Sequence, residues 1–62
     1  MKFNVVVVMD NDGDIWVRKV REDHNADEYA YQCEGDLAEP LLEDDLRKRF
    51  GIKVEIFAGV VG

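Results

Sequence analysis

The sequence contains no serine and no threonine, so the hydroxyl nucleophiles that most hydrolases use are missing. The remaining hydroxyl groups belong to Tyr29 and Tyr31, and tyrosine rarely has that role. There is one histidine, His24, and one cysteine, Cys33, whereas a zinc site needs three or four ligands. We therefore predict that the protein is not an enzyme and uses no metal or other cofactor.

Other absences limit where the protein works. A lone cysteine excludes an internal disulfide and suits a reducing compartment. No apolar run approaches the roughly 18 residues of a membrane span, and the first residues do not have the pattern of a secretory signal. We expect a cytoplasmic protein. Its 62 residues form a single domain, 1–62, with a small core.

Charge is distributed very unevenly along the chain. The chain has 14 acidic and 8 basic residues, for a net charge of −6. No lysine or arginine occurs between Glu22 and Leu46, and the chain has ten acidic residues there. These are Glu22, Asp23, Asp27, Glu28, Glu34, Asp36, Glu39, Glu43, Asp44 and Asp45. So much negative charge argues against direct nucleic-acid binding and for a basic protein partner.

The segment Asp10-Asn11-Asp12-Gly13-Asp14 raises the question of a metal site. An EF-hand loop has glycine at position 6 and glutamate at position 12, but here Ile15 and Arg21 occupy those positions. A magnesium site needs carboxylates that converge from several elements, and these acids lie in one segment. Asp12-Gly13 between apolar runs instead predicts a hairpin turn.

The strands of this hairpin are predicted at Phe3 to Met9 and Ile15 to Val20. The first strand is apolar on both faces, which indicates a central position in the sheet. A two-residue turn and a three-residue loop are both possible. We favour the three-residue loop, with Gly13 left-handed, because it places two apolar sets on one face. The sets are Phe3, Val5, Val7 and Met9 in the first strand, and Ile15 and Val17 in the second.

The second half of the chain predicts one more strand, a helix and a final strand. Glu28 to Cys33 alternates as a third strand. A helix from about Asp36 or Glu39 to Phe50 follows, with capping-box spacing between its two candidate first residues. Ala38, Leu42, Leu46 and Phe50 would form its apolar face, and Gly51 would end it. Three ion pairs at i, i+4 are expected along it: Glu43–Arg47, Asp44–Lys48 and Asp45–Arg49.

Ile52 to Phe57 forms the last predicted strand. The fold class is therefore α+β, in the order β-β-β-α-β, as a four-stranded mixed sheet with one helix packed on one face. The first strand is flanked by the second and the last. A right-handed crossover through the helix would make the last strand parallel to the first.

Two stretches, "MKFNVVVVMDNDGDIWV" and "CEGDLAEPL", resemble HicB-type antitoxin domains. The resemblance covers residues 1–17 and 31–50, and the family's partial RNase-H-like fold has the same order of elements. The family's proline-rich turn and its threonine after Gly-Asp are missing here. The resemblance implies that the chain neutralises a small basic RNase toxin.

In size, acidity and lack of catalytic residues the chain also resembles small phage anti-CRISPR proteins that act as DNA mimics. We rank this function first, because the ten acidic residues and the missing DNA-binding half fit an antitoxin less well. The protein would be a non-catalytic inhibitor, monomeric or weakly dimeric, that blocks target DNA recognition by a CRISPR-Cas surveillance complex. The resemblance implies that it acts in the cytoplasm of a bacterial host cell. All ten acids are candidate contacts, and Asp36, Glu39, Glu43 and Asp44 are expected to matter most.

Overall fold

The computed structural model describes residues 1–35 and 38–62, so Asp36 and Leu37 lie outside the described residues. The strands are β1 (Phe3–Asp10), β2 (Ile15–Arg21), β3 (Gln32–Cys33) and β4 (Ile52–Val61). A short 3-10 helix, Ala26–Glu28, precedes β3, and the helix α1 (Glu43–Arg49) precedes β4. The sheet order is β3-β2-β1-β4. The α+β class and the central position of β1 are confirmed.

The first hairpin has the favoured three-residue loop. Met9 lies opposite Ile15, and the Asp10 amide donates to the Asp14 carbonyl at 2.9 Å. Gly13 has a φ of 90°, which an L side chain rarely adopts. The even-numbered residues of β1 and β2 therefore share one face, and the odd-numbered residues share the other.

The carboxylate of Asp10 holds this turn together from within. Asp10 is fully buried, and its Oδ1 accepts hydrogen bonds from the backbone amides of Asp12 at 2.8 Å and Asp14 at 2.9 Å. Its Oδ2 accepts from the indole Nε1 of Trp16 at 2.8 Å. The aspartate-rich segment is thus a turn, as the sequence predicts.

The predicted direction of the last strand is wrong. β4 runs antiparallel to β1, with Ile52 opposite Asp10 and Val61 opposite Phe3. A parallel β4 would have to begin at the far end of β1, about 26 Å away for an eight-residue strand. The seven residues of α1 span only about 10 Å, so the chain re-enters the sheet at the hairpin end.

The helix also begins later than predicted. Glu39 lies outside the helix, so the proposed capping box with Asp36 is wrong, and Asp36 itself lies outside the described residues. A residue that precedes proline disfavours the helical conformation, and Pro40 follows Glu39. Leu41 then exchanges two backbone hydrogen bonds with Tyr31, of 2.7 and 2.9 Å, which keep this segment extended. Gly51, with a φ of 75°, follows the end of α1 as predicted.

The core lies between α1 and the even-numbered face of the sheet, which we call the inner face. Leu46 of α1 is fully buried against a cluster that contains Val8, Trp16, Tyr31, Cys33 and Leu41. The rings of Trp16 and Phe50 lie 5.6 Å apart. Of the predicted helix face, Leu42 is exposed instead, because it precedes the first turn. No helix in the described ranges is long and apolar enough to cross a membrane.

The third predicted strand is shorter than the sequence pattern suggested. β3 contains only Gln32 and Cys33, which pair with Val17 and Trp16. Tyr31 forms an isolated bridge with Leu41, whereas Tyr29 is exposed and caps the C-terminal end of the 3-10 helix. The sheet therefore has a narrow edge at β3 and a long edge at β4.

Candidate partner-binding surface

The start of α1 and the 3-10 helix together form an acidic groove. It has a volume of about 590 Å³ and is lined by Asp27, Leu42, Glu43, Asp44, Asp45 and Lys48. Asp27 is held in place because its backbone amide donates to the side-chain oxygen of Asn25 at 3.1 Å, an N-cap of the 3-10 helix. The fold thus brings together four of the ten predicted contact residues.

Glu43 differs from the other carboxylates of the groove because the protein neutralises it internally. Its Oε2 lies 3.3 Å from Nε of Arg47, the one i, i+4 pair of the three predicted that forms within the described residues. Its Oε1 lies 3.6 Å from Nη1 of Arg18. The same oxygen accepts a hydrogen bond from the Tyr31 hydroxyl at 3.4 Å. Much of the charge of Glu43 is therefore not available to a partner.

Arg18 contacts the groove residue Glu43, and the sequence analysis did not identify it as part of the site. It projects from the inner face of β2, is largely buried, and its guanidinium lies 4.7 Å above the ring of Tyr31. Burial raises the pKa of the Tyr31 hydroxyl above its ordinary value, so this hydroxyl stays protonated and can donate to Glu43. The alternation of Trp16, Arg18 and Val20 along β2 was the available signal, since it places all three on one face.

Asp44 and Asp45 are the groove carboxylates that remain free to bind. Both are exposed and lie in the first turn of α1, where the helix holds their positions fixed. In the part of the chain that the structure describes, Asp44 forms no ion pair with Lys48, and Asp45 forms none with Arg49. With Asp27 across the groove, they form a compact negative surface.

The other predicted contact residues are spread around the molecule. Glu22 and Asp23 lie in the turn after β2, where Asp23 pairs with Arg21 at 3.3 Å. Glu34 lies beside the first hairpin, because its amide donates to the Ile15 carbonyl at 2.9 Å. Glu28 ends the 3-10 helix, and Glu39 is exposed before α1. Asp36 lies outside the described residues.

His24 and Cys33, the only histidine and the only cysteine of the sequence, have different surroundings. His24 is exposed, and its Nδ1 lies 2.8 Å from the Tyr29 hydroxyl, with the two rings stacked at 5.9 Å. Cys33 is buried on the inner face opposite Trp16. Within residues 1–35 and 38–62, no group of three or more histidine, cysteine or acidic side chains is arranged to hold a metal ion.

Comparison of the chain with protein-family models, curated proteins and solved structures finds no match. What the fold presents is a small α+β domain with a fixed carboxylate surface at one end of its helix.

Proposed function

We propose that this protein is an acidic, non-catalytic binding domain that occupies the basic nucleic-acid site of another protein. More particularly, we propose an anti-CRISPR protein that mimics DNA and blocks target recognition by a CRISPR-Cas surveillance complex. The observation that supports this is the groove lined by Asp27, Asp44 and Asp45, none of which forms an ion pair within residues 1–35 and 38–62, although Lys48 also lines the groove.

Carboxylates at fixed positions can replace phosphates as partners for lysine and arginine. Charge-assisted hydrogen bonds to arginine are short and directional, so their strength depends on how rigidly the acceptor is held. Asp44 and Asp45 lie on a helix that Leu46, fully buried, fixes to the sheet. The surface would then bind with little loss of side-chain freedom.

The structure changes the expected ranking of the contact residues. Glu43 interacts with Arg18 and Arg47, so its removal would affect the stability of the fold more than the binding of the partner. We now expect Asp27, Asp44 and Asp45 to contribute most. Glu22 and Glu34, which lie away from the groove, should contribute little.

The test compares two double variants that remove equal charge. D44N/D45N should abolish inhibition of target DNA binding by purified surveillance complexes, measured by gel shift, whereas E22Q/E34Q should inhibit as the wild type does. Asparagine keeps the size of each side chain, and thermal melting would show that both variants fold. Equal inhibition by both would refute the groove as the binding surface.

A second candidate is a HicB-like antitoxin module, favoured by the order β-β-β-α-β, which matches the one that the resemblance implies. Its partner would be a small basic RNase toxin encoded beside it. Co-expression with such a toxin should restore growth, and D44N/D45N should lose this effect. A gene neighbourhood without a toxin, together with gel-shift inhibition of a surveillance complex, would favour the anti-CRISPR function.

A further inference from the structure

The face of the sheet opposite α1, which we call the open face, is mostly apolar. Its polar residues are Lys19, Arg21 and Gln32, and Tyr29 and Ala30 flank it beside Val17. Its apolar residues are odd-numbered residues of β1 and β2 with their neighbours in β4: Phe3, Val5, Val7, Met9, Ile15, Val17, Val54, Phe57 and Val61. None of these residues is buried, and Phe57 remains 45% exposed. Every buried side chain in the strands, by contrast, lies on the inner face.

The two ends of the open face carry opposite charge. The hairpin loop places the exposed Asp12 at one end of the β1–β2 pair. The other end carries the exposed Lys2 and Arg21, and Arg21 lies opposite Phe3 in the β1–β2 register. Arg21 also forms an ion pair with Asp23 at 3.3 Å, so the positive charge of this end comes mainly from Lys2 and Lys19. Lys19 lies on the same half of the face, with its ammonium 4.4 Å from the centre of the Phe3 ring. A partner that binds the open face should therefore have an apolar centre, a positive charge opposite Asp12 and a negative charge opposite the basic end.

A second copy of this chain, turned end to end, has this pattern. We propose that two copies pack open face against open face about a two-fold axis that lies between the sheets and runs across the strands. This axis sets the Asp12 end of each copy against the Arg21 end of the other. A two-fold axis along the strands would instead place like charges together, so charge complementarity selects the first arrangement.

The size of the open face indicates a weak, reversible dimer. Three strands at about 4.8 Å and eight residues at about 3.3 Å give roughly 380 Å² in projection. A standard interface buries about 800 Å² of accessible surface on each partner. We therefore expect a dissociation constant in the micromolar range. The acidic groove lies on the α1 side of the sheet, so the dimer would leave both grooves accessible.

The first test compares two apolar residues of β4 that point to opposite faces. Phe57 pairs with Val7 on the open face, whereas Val60 pairs with Asn4 on the other side, and the two are 45% and 56% exposed. In sedimentation velocity over a range of concentrations, F57S should weaken dimerisation by about tenfold or more. V60S should behave as the wild type does. Thermal melting would confirm that both variants fold.

The second test reverses charges at the two ends. D12K alone and R21E alone should each dimerise less well than wild type, because each homodimer then has like charges facing across the interface. An equimolar mixture of the two should recover the dimer, since every contact is again between opposite charges. This test does not depend on the folding of a core variant.

Three results would overturn the proposal. A wild-type protein that stays monomeric up to near-millimolar concentration would exclude the dimer. Equal weakening by F57S and V60S would indicate strand pairing along the β4 edge instead. A mixture of D12K and R21E that fails to recover would exclude the end-to-end arrangement. Loss of dimerisation with full inhibitory activity would leave the proposed function intact, because the groove is separate from this face.

Discussion

The best-defined single residue is Asp10, a buried carboxylate with three hydrogen-bond donors. Burial by itself raises the pKa of Asp10, but the hydrogen bonds from the Trp16 indole and from the Asp14 and Asp12 amides outweigh this effect. The pKa in the folded protein therefore lies below the ordinary value of 3.8. Because the unfolded chain takes up this proton first, Asp10 stabilises the fold above about pH 4, and the effect is lost as pH falls further.

We predict that D10N lowers the free energy of unfolding by about 1–3 kcal/mol at neutral pH. An asparagine amide can keep only part of the pattern, since its NH₂ group cannot accept from Trp16. Urea unfolding of wild type and D10N should show this gap at pH 7, and the gap should narrow below about pH 4. D12N, which changes an exposed loop residue, should show a pH dependence like that of wild type. A gap that stays constant down to pH 2 would contradict the assignment.

At the scale of elements, α1 is tied to β2 by a contact that combines charge and an aromatic ring. Arg18 is largely buried, and its Nη1 has no hydrogen-bond partner within the described residues. The carboxylate of Glu43 lies 3.6 Å from this nitrogen. Removing the carboxylate would leave a buried, unpaired guanidinium. If the Glu43 carboxylate and the Arg18 guanidinium were both removed, the apolar side chain left at position 18 would still contact the ring of Tyr31.

We predict a strongly non-additive mutant cycle at this contact. E43A should destabilise the fold by about 1–2 kcal/mol, because it isolates the charge of Arg18; the loss is smaller than for a fully buried pair because the Glu43 side chain is 40% exposed. R18M should cost less than about 1 kcal/mol, and the double variant R18M/E43A should be more stable than E43A. Chemical denaturation of the four proteins measures the coupling. E39A is a control, since Glu39 is exposed and precedes the helix. Additive effects would show that the two residues do not interact.

The elements differ in how far the sequence determines them. The first hairpin was predictable in its register, because Asp12-Gly13 and the strands beside it are local signals. The start of α1 was not, because it depends on the pairing of Leu41 with Tyr31. The direction of β4 depends on the end of β1 at which the chain re-enters the sheet after the short helix α1. The pattern of apolar and polar residues does not determine this position.

The candidate surface was also only partly predictable from the sequence. The ten acidic residues are visible in the sequence, but the sequence does not show which of them form ion pairs in the folded protein. Arg18 reaches Glu43 only because β2 and α1 pack together. Arg21 pairs with Asp23 across the turn that follows β2. The stretch that lacks lysine and arginine in sequence thus has basic partners from neighbouring elements. Only the folded chain distinguishes Asp44 and Asp45 from Glu43.

At the scale of the whole molecule, the uneven charge gives a prediction about ionic strength. The net charge of −6 and the exposed groove should speed the approach to a basic partner, and salt should screen this attraction over about 8 Å at physiological strength. We predict that raising salt several-fold slows association with the proposed partner, a surveillance complex, much more than it speeds dissociation. Surface plasmon resonance measures both rates. A partner bound mainly through apolar contacts would show little change in either rate.

The position of β4 has a consequence for how the protein is made. β1 can pair with β2 as soon as Arg21 has been synthesised, but its other edge pairs with residues 52–61, far along the chain. On the ribosome, β1 therefore exposes a valine-rich edge until nearly all of the described chain has emerged. We expect the nascent chain to need fast synthesis or a chaperone during this interval, since an open apolar strand edge promotes aggregation.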